Sequence, residues 1–172
     1  FAGTAVAYTD SFGPDSRHLT YTSEPLETDL EVTGHPIVTL YVKSTHTDGA
    51  FFAYLVDLFP GGEVRYVTEG HLRALHRKVS EDRPPYRTFV PHHTYKRADA
   101  MPLAPGHVAK LVIGLQPTSV LFRRGHRVRI AIAGHDNGSF TQIPPRGAPV
   151  AVEVHRNAVH ASRVDLPIVA PD

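Results

Sequence analysis

At 172 residues the chain has the size of one domain, on a prior of roughly 150 residues each. Its 41% hydrophobic and 20% charged residues are those of a globular protein and exclude a disordered, collagenous or coiled-coil chain. Eighteen basic against 17 acidic side chains leave a net charge of +1 with no long block of like charge, so a nucleic-acid partner is not expected.

The chain opens Phe1-Ala2-Gly3-Thr4, without an initiator Met and without the basic and apolar regions of a leader, which reads as a piece of a longer protein. Fifteen prolines and thirteen glycines then punctuate it too often for long helices, and period-2 alternation points to an all-β fold. Leu19 to Thr22 and Leu30 to Thr33 are the first expected strands. Val38, Leu40 and Val42 next alternate with Thr39, Tyr41 and Lys43, the pattern of a half-buried strand. Ala50 to Val56 is apolar on both alternating sets, as in a central strand covered on both faces. It is the longest apolar run and far short of the ~20 residues a membrane-spanning helix needs, so no membrane partner is expected.

Pro60-Gly61-Gly62 breaks that strand, and Val64 to Thr68 resumes the pattern, so Leu55 to Tyr66 reads as a hairpin closed by a tight turn. His71 to Leu75 is the next expected strand. Leu111, Ile113 and Leu115, then Val128, Ile130 and Ile132, then Val150, Val152 and Val154 repeat the alternation, and Ala161 to Leu166 ends the series. About nine or ten strands suit a jelly-roll β-sandwich of antiparallel sheets. Val38, Leu40, Val42, Val128, Ile130 and Ile132 are its expected core.

Arg77 to His107 stands apart: about thirty residues carry Pro84, Pro85, Pro91, Pro102 and Pro105 with little periodicity, and loops of that length are more often functional or interface-forming than idle. Its polar and aromatic residues Tyr86, His92, His93, Tyr95 and Lys96 are the candidate interface. Ordering each backbone residue costs about 1 to 2 kcal/mol, so the loop is expected to need a partner to hold it and to be mobile without one.

Chemistry elsewhere is sparse. No serine has the flanking glycines of a nucleophile elbow. His135, Asp136 and Ser139 hold the residue types of a catalytic triad in one short stretch, but a triad draws its members from separate elements, and a polar turn after the strand ending at Ala133 is the better reading. Of twelve histidines, the adjacent His92 and His93 point to opposite sides of an extended segment, and His71 and His76 lie an odd separation apart; even with Asp99 nearby, neither is a metal-ligand spacing. Glu24, Glu27, Asp29 and Glu31 read as a solvated acidic edge rather than a calcium site or glycosidase pair. Asp57, interrupting the apolar strand, is expected to accept backbone or arginine hydrogen bonds. Arg123, Arg124, Arg127 and Arg129 form a basic stripe suited to pairing carboxylates across a sheet or on another domain. With no cysteine there is no disulfide, thiolate site or cysteine nucleophile, and the redox compartment is open, the cytoplasm being the favoured localisation.

Four motifs in order carry a resemblance. They are Ser23-Glu24-Pro25-Leu26 with Asp29-Leu30-Glu31-Val32-Thr33-Gly34; Leu55-Val56-Asp57-Leu58-Phe59-Pro60-Gly61-Gly62; Glu69-Gly70-His71-Leu72-Arg73-Ala74; and Pro117 to Arg129, with Gly125-His126-Arg127-Val128-Arg129 the sharpest piece. From about Arg17 to Val169 the chain resembles the C-terminal domain of the X-Pro dipeptidyl-peptidase and cocaine-esterase family of serine hydrolases. The resemblance implies a galactose-binding-like jelly roll over residues 1–172, following an α/β-hydrolase catalytic domain of the same parent chain that carries the triad; self-association is a further possible partner. It implies no catalytic residue, cofactor or metal in this chain, which alone is expected to hydrolyse neither X-Pro dipeptide amides nor aryl esters. The alternative is a free-standing carbohydrate- or ligand-binding module, although tryptophan, the usual sugar platform, is absent.

Overall fold

The computed structural model describes residues 18–136, 140–144, 147 and 150–170. Because successive side chains along a strand point to opposite faces, the alternation in the sequence translates directly into strands. Ten form among the described residues: β1 (Leu19–Thr22), β2 (Leu30–Gly34), β3 (Ile37–Ser44), β4 (Ala50–Leu58), β5 (Val64–Arg73), β6 (Val108–Gly114), β7 (Thr118–Phe122), β8 (Arg127–Ala133), β9 (Val152–His155) and β10 (Arg163–Asp165). Two single 3-10 turns, Ala74–His76 and Arg97–Asp99, are the helical content.

All strand pairs are antiparallel. One sheet runs β1-β8-β4-β5. In the other, β6 lies along one edge of β3, while β10 and β9 share its other edge end to end, β10 against Ile37–Thr39 and β9 against Tyr41–Ser44. β2 and β7 form a ribbon. The chain leaving β10 runs along the open edge of β2, with Thr33 N donating to Pro167 O at 3.0 Å and Val169 N to Glu31 O at 3.0 Å, and so ties the ribbon to the β3 sheet. The result is the all-β sandwich expected from the alternation.

Its main core holds the expected Val38, Leu40, Val42, Val128, Ile130 and Ile132, together with Phe51, Ala53 and Leu55 of β4 and Val32 and Phe122 of the ribbon. β4 is covered on both faces, as its double apolar set requires: Phe52, Tyr54 and Val56 build a second cluster with Ala131 on the far side of the sheet. The hairpin after β4 also forms as expected. Gly62, at φ +90°, takes a backbone conformation that L side chains avoid, and Phe59 N and Glu63 O close the turn at 2.9 Å.

Three strand assignments change. Val64 to Arg73 is one strand and not two, ending where Ala74–His76 turns. The strand expected from Val150 is β9, beginning at Val152, and the one expected over Ala161 to Leu166 contracts to Arg163–Asp165. β7 is additional. Framed by Pro117 and the Arg123-Arg124 pair, it has only Val120 and Phe122 as inward apolar positions, too short a run to stand out.

Candidate functional site

Asp57 ends the apolar stretch of β4 and is fully buried. Its carboxylate is held from two strands: Arg65 of β5 donates at 2.9 Å, and the His126 Nδ1–H at the start of β8 lies 2.9 and 3.1 Å from the two oxygens. The His126 ring packs on Phe59 at 4.4 Å between centroids, and Gly125, at φ +82°, makes the turn that brings it there. The arginine partner fits the expectation for Asp57. The histidine is new, and it explains Gly125-His126-Arg127-Val128-Arg129 structurally, because it locks the β4–β5 hairpin to the entry of β8.

The basic stripe and the acidic edge satisfy each other. Arg127 donates to Ser23 O at 2.9 Å and lies 3.6 Å from Glu24, Arg129 donates to Thr22 Oγ1 at 2.8 Å, and Arg123 pairs Asp29 at 3.0 Å. The Arg124 backbone N–H donates to Asp29 as well, and this bond, followed by the Arg123 guanidinium, holds the Asp29 carboxyl below the ordinary range. Arg123, Arg127 and Arg129 are therefore engaged within the fold.

No enzyme site assembles among the described residues. Asp136 accepts the Tyr54 hydroxyl at 3.0 Å, and Ser139 lies outside the described residues. His71 stacks at 4.6 Å on Phe140, and His76 sits edge-on to Tyr95 at 5.3 Å. Among the described residues no group of His, Asp and Glu has the arrangement of a metal site.

The loop 77–107 is a site of another kind. Its two limbs are nailed to the sandwich. Arg77 donates to the carbonyls of Ala74, Met101 and Pro102; Lys78 pairs with Asp99, which also accepts from Thr94 at 2.7 Å. Met101 N reaches Leu75 O at 2.8 Å, Leu103 N reaches Thr47 O at 2.7 Å, and the Leu103 side chain is buried in the main core. His93 is only 8% exposed, with Nδ1 3.0 Å from Lys78 O and Nε2 3.0 Å from Val112 O, so it covers a carbonyl on the free edge of β6. Val90 seats on Gly114: a Cβ there would lie 2.5 Å from that of Val90, so the approach requires glycine. These anchors tie both limbs of the loop to the sandwich of its own chain and leave the tip between them open.

Between the limbs, residues 81–89 project outward. Tyr86 is 59% exposed and meets His92 edge-on at 5.8 Å; Phe89 is 65% exposed. Phe89 is nevertheless braced, stacked on His35 at 6.2 Å with the Arg87 guanidinium 5.0 Å from its ring centre. It borders a hollow of about 660 Å³ with Pro117 and Ser119 of the ribbon edge and Pro167. Tyr95 and Lys96 are exposed on the returning limb. Tyr95 holds φ 55°, a left-handed conformation costing of order 1 kcal/mol for a side chain of this size. Of the expected interface set, then, Tyr86, His92, Tyr95 and Lys96 reach solvent, whereas His93 turns inward as an anchor. Phe89 and Arg87 were missed by sequence reasoning; the adjacency of Phe89 and Val90 between prolines was the available signal.

The described residues thus form an antiparallel all-β sandwich from which an aromatic loop tip projects. The family model of the X-Pro dipeptidyl-peptidase C-terminal non-catalytic domain matches residues 2–164, and the chain belongs to that family. A Mycobacterium bovis protein named as a serine esterase is 52% identical over 169 residues, covering 98% of this chain and 27% of that protein. The cocaine esterase of a Rhodococcus species is 27% identical over 162 residues, 88% of this chain and 25% of the esterase. A solved CocE/NonD family hydrolase from Staphylococcus aureus shares the fold at TM-score 0.73 and 17% identity, over 88% of this chain and 30% of that one. The chain thus spans about a quarter of the length of these curated relatives.

Proposed function

We propose that residues 1–172 form one accessory domain of a serine hydrolase, following an α/β-hydrolase catalytic domain in the same parent chain, and that the tip of the 77–107 loop docks against that domain near the rim of its active site. The observation that carries this reading is Phe89: a 65% exposed aromatic ring flanked by His35 at 6.2 Å and the Arg87 guanidinium at 5.0 Å, beside a concave apolar ribbon edge. A mobile exposed ring would lose entropy on docking, whereas a braced one has little left to lose. Tyr86, His92, Tyr95 and Lys96 supply the polar margin usual around an apolar anchor. Contacts between domains of one chain bury about 600 to 1,500 Å², an area that this tip and the adjoining ribbon suit. The domain's part in the reaction is then to wall the entrance and stabilise the assembled enzyme, with the triad supplied by the catalytic domain.

The first check is the coding sequence upstream of Phe1, which is expected to contain Gly-x-Ser-x-Gly with a suitably placed aspartate and histidine. The physical test is hydrogen exchange. Amides of residues 81–87 are expected to exchange fast in this chain alone and slowly in the full-length protein, with Phe89→Asp abolishing the gain. Equal protection of the tip in both would remove the docking reading.

A further inference from the structure

The sandwich does not close evenly. In the half built from β4 and β5 with β3 and β6, the inward side chains lose all contact with solvent: Leu55, Val42 and Leu111 are each 0% exposed. On the opposite flank, where β1 and β8 lie across from β3 and β10, Val128, Ile130 and Ile132 keep 9%, 8% and 6%, and a slot of about 480 Å³ opens between the sheets. Leu26, Leu30, Leu40, Ile130, Ile132 and Leu166 wall it, and no acidic side chain lines it. On its rim the guanidinium of Arg156 lies 4.6 Å from the centre of the Tyr21 ring. Arg156 is exposed and pairs with no carboxylate among the described residues, whereas Arg163, also on the rim, is taken by Asp165 at 3.0 Å.

We propose that this slot binds a medium-chain carboxylate, its hydrocarbon tail between the sheets and its head group on Arg156. The volume falls within the ~300 to 1,000 Å³ of small-molecule sites, and the pattern is the usual one of such sites, a mainly apolar cleft with a few polar groups, among which Arg156 carries a charge that no carboxylate of the described residues meets. Protein interiors pack without gaps, so a leucine- and isoleucine-walled space of this size is a place where apolar atoms are missing. The guanidinium selects the head group. Placed over an aromatic ring, it keeps N–H groups available for the paired hydrogen bonds that a carboxylate accepts. A neutral alcohol would leave that charge unmatched, and a cation would be repelled by it. The slot is formed without residues of the 77–107 loop, so this inference does not rest on the proposed docking.

The test is an NMR titration of this chain with decanoate below its micellar concentration, with decanol and decyltrimethylammonium as neutral and cationic controls. Decanoate is expected to shift the amides of Leu40, Ile130 and Ile132 saturably and to raise Tm, as any ligand of the native state does. Arg156→Gln is expected to weaken decanoate at least about tenfold, the loss of a charge-assisted pair, while leaving decanol binding unchanged. Arg156→Lys, which keeps the charge but loses the planar fork, is expected to fall between the original chain and Arg156→Gln. Because Arg156 is exposed, these variants keep the fold, which their spectral dispersion verifies. Decanol binding as tightly as decanoate, with Arg156→Gln indifferent, would reduce the slot to an unselective hydrophobic gap and overturn the proposal. Saturable shifts that miss the slot, or none, would overturn it equally.

Discussion

Asp57 and His93 are both buried polar side chains whose polar atoms face other elements of the fold, yet they hold together very different neighbourhoods. Asp57 sits where two ladders meet: its strand pairs β5 on one side and β8 on the other, so hydrogen bonds along the backbone already fix the chain and the carboxylate locks their ends. His93 works where there is no ladder. The limbs of the 77–107 loop are held by separate side-chain anchors, and whatever lies between two anchors is left to solvent, as residues 81–89 largely are. Regular pairing orders every residue it includes, whereas side-chain anchoring orders only the residues it touches. The loop can therefore present a rigid base and an outward tip at once, a combination that a strand cannot offer.

The severest loss is expected at Asp57. Asp57→Ala deletes hydrogen bonds to a buried carboxylate from both Arg65 and His126, at about 1.5 to 3 kcal/mol for a bond to a charged group, and is expected to lower the urea midpoint accordingly and to loosen β4, β5 and the entry to β8 together. A loss below about 1 kcal/mol would mean that the ladders alone fix this region and that the lock is incidental.

A smaller loss is expected in the loop. Gly114→Ala places a methyl group 2.5 Å from the Val90 Cβ, which forces the loop off β6 and costs about 1 to 3 kcal/mol, the range for overfilling a tight contact. Unlike the change at Asp57, it should raise hydrogen exchange in residues 88–94 while leaving β4 and β8 protected. In a double-mutant cycle with Val90→Gly the penalty should shrink, since the opposing side chain is gone. Additive costs would show that Val90 does not seat the loop.

How much of this was legible in the sequence follows the same division. β3, β4 and β8 could be read because a strand prints its burial at period two, and the buried β4 printed it on both faces. Asp57 announced itself as a charge inside an apolar run, and its arginine partner was foreseeable. His126 was not, because it meets Asp57 across 69 residues of chain with no pattern linking them. The loop was legible only as an irregularity. Arg77 on the carbonyls of Met101 and Pro102, Val90 on Gly114 and His93 on Val112 are contacts between particular pairs, and such pairs leave no periodic trace. The arginine stripe was legible in part. Pairing with carboxylates across the sheet or on another domain was legible but the choice between them was not, and the turn holding Glu24 and Asp29, which folds back beside Arg127 and Arg123, supplies the carboxylates from within the fold.

The smallest expected effect is at the ion pair of Lys78 and Asp99, half open to solvent and confined to the loop. The hydrogen bond from Lys78, then that from Thr94, lowers the Asp99 carboxyl below its ordinary 3.8; the bond to Asp99 in turn raises Lys78 above its ordinary 10.5. A carboxyl depressed in the folded state contributes stability that is present above its unfolded value and disappears as pH falls through the folded one. An amine raised in the folded state contributes stability that is present below its unfolded value and disappears as pH rises through the folded one. The pair is therefore fully engaged between about pH 4 and 10 and fails outside that window on either side. A carboxyl-carbon NMR titration should place the Asp99 midpoint below 3.8, and Lys78→Met should move it up toward that value while the amides of Lys78 and Thr94 shift with it. Screening by salt should have the same direction of effect, since the pair is exposed. A midpoint unmoved by Lys78→Met would mean that Thr94 alone holds Asp99, and the two limbs of the loop would then be joined through His93 and Arg77 without help from this ion pair.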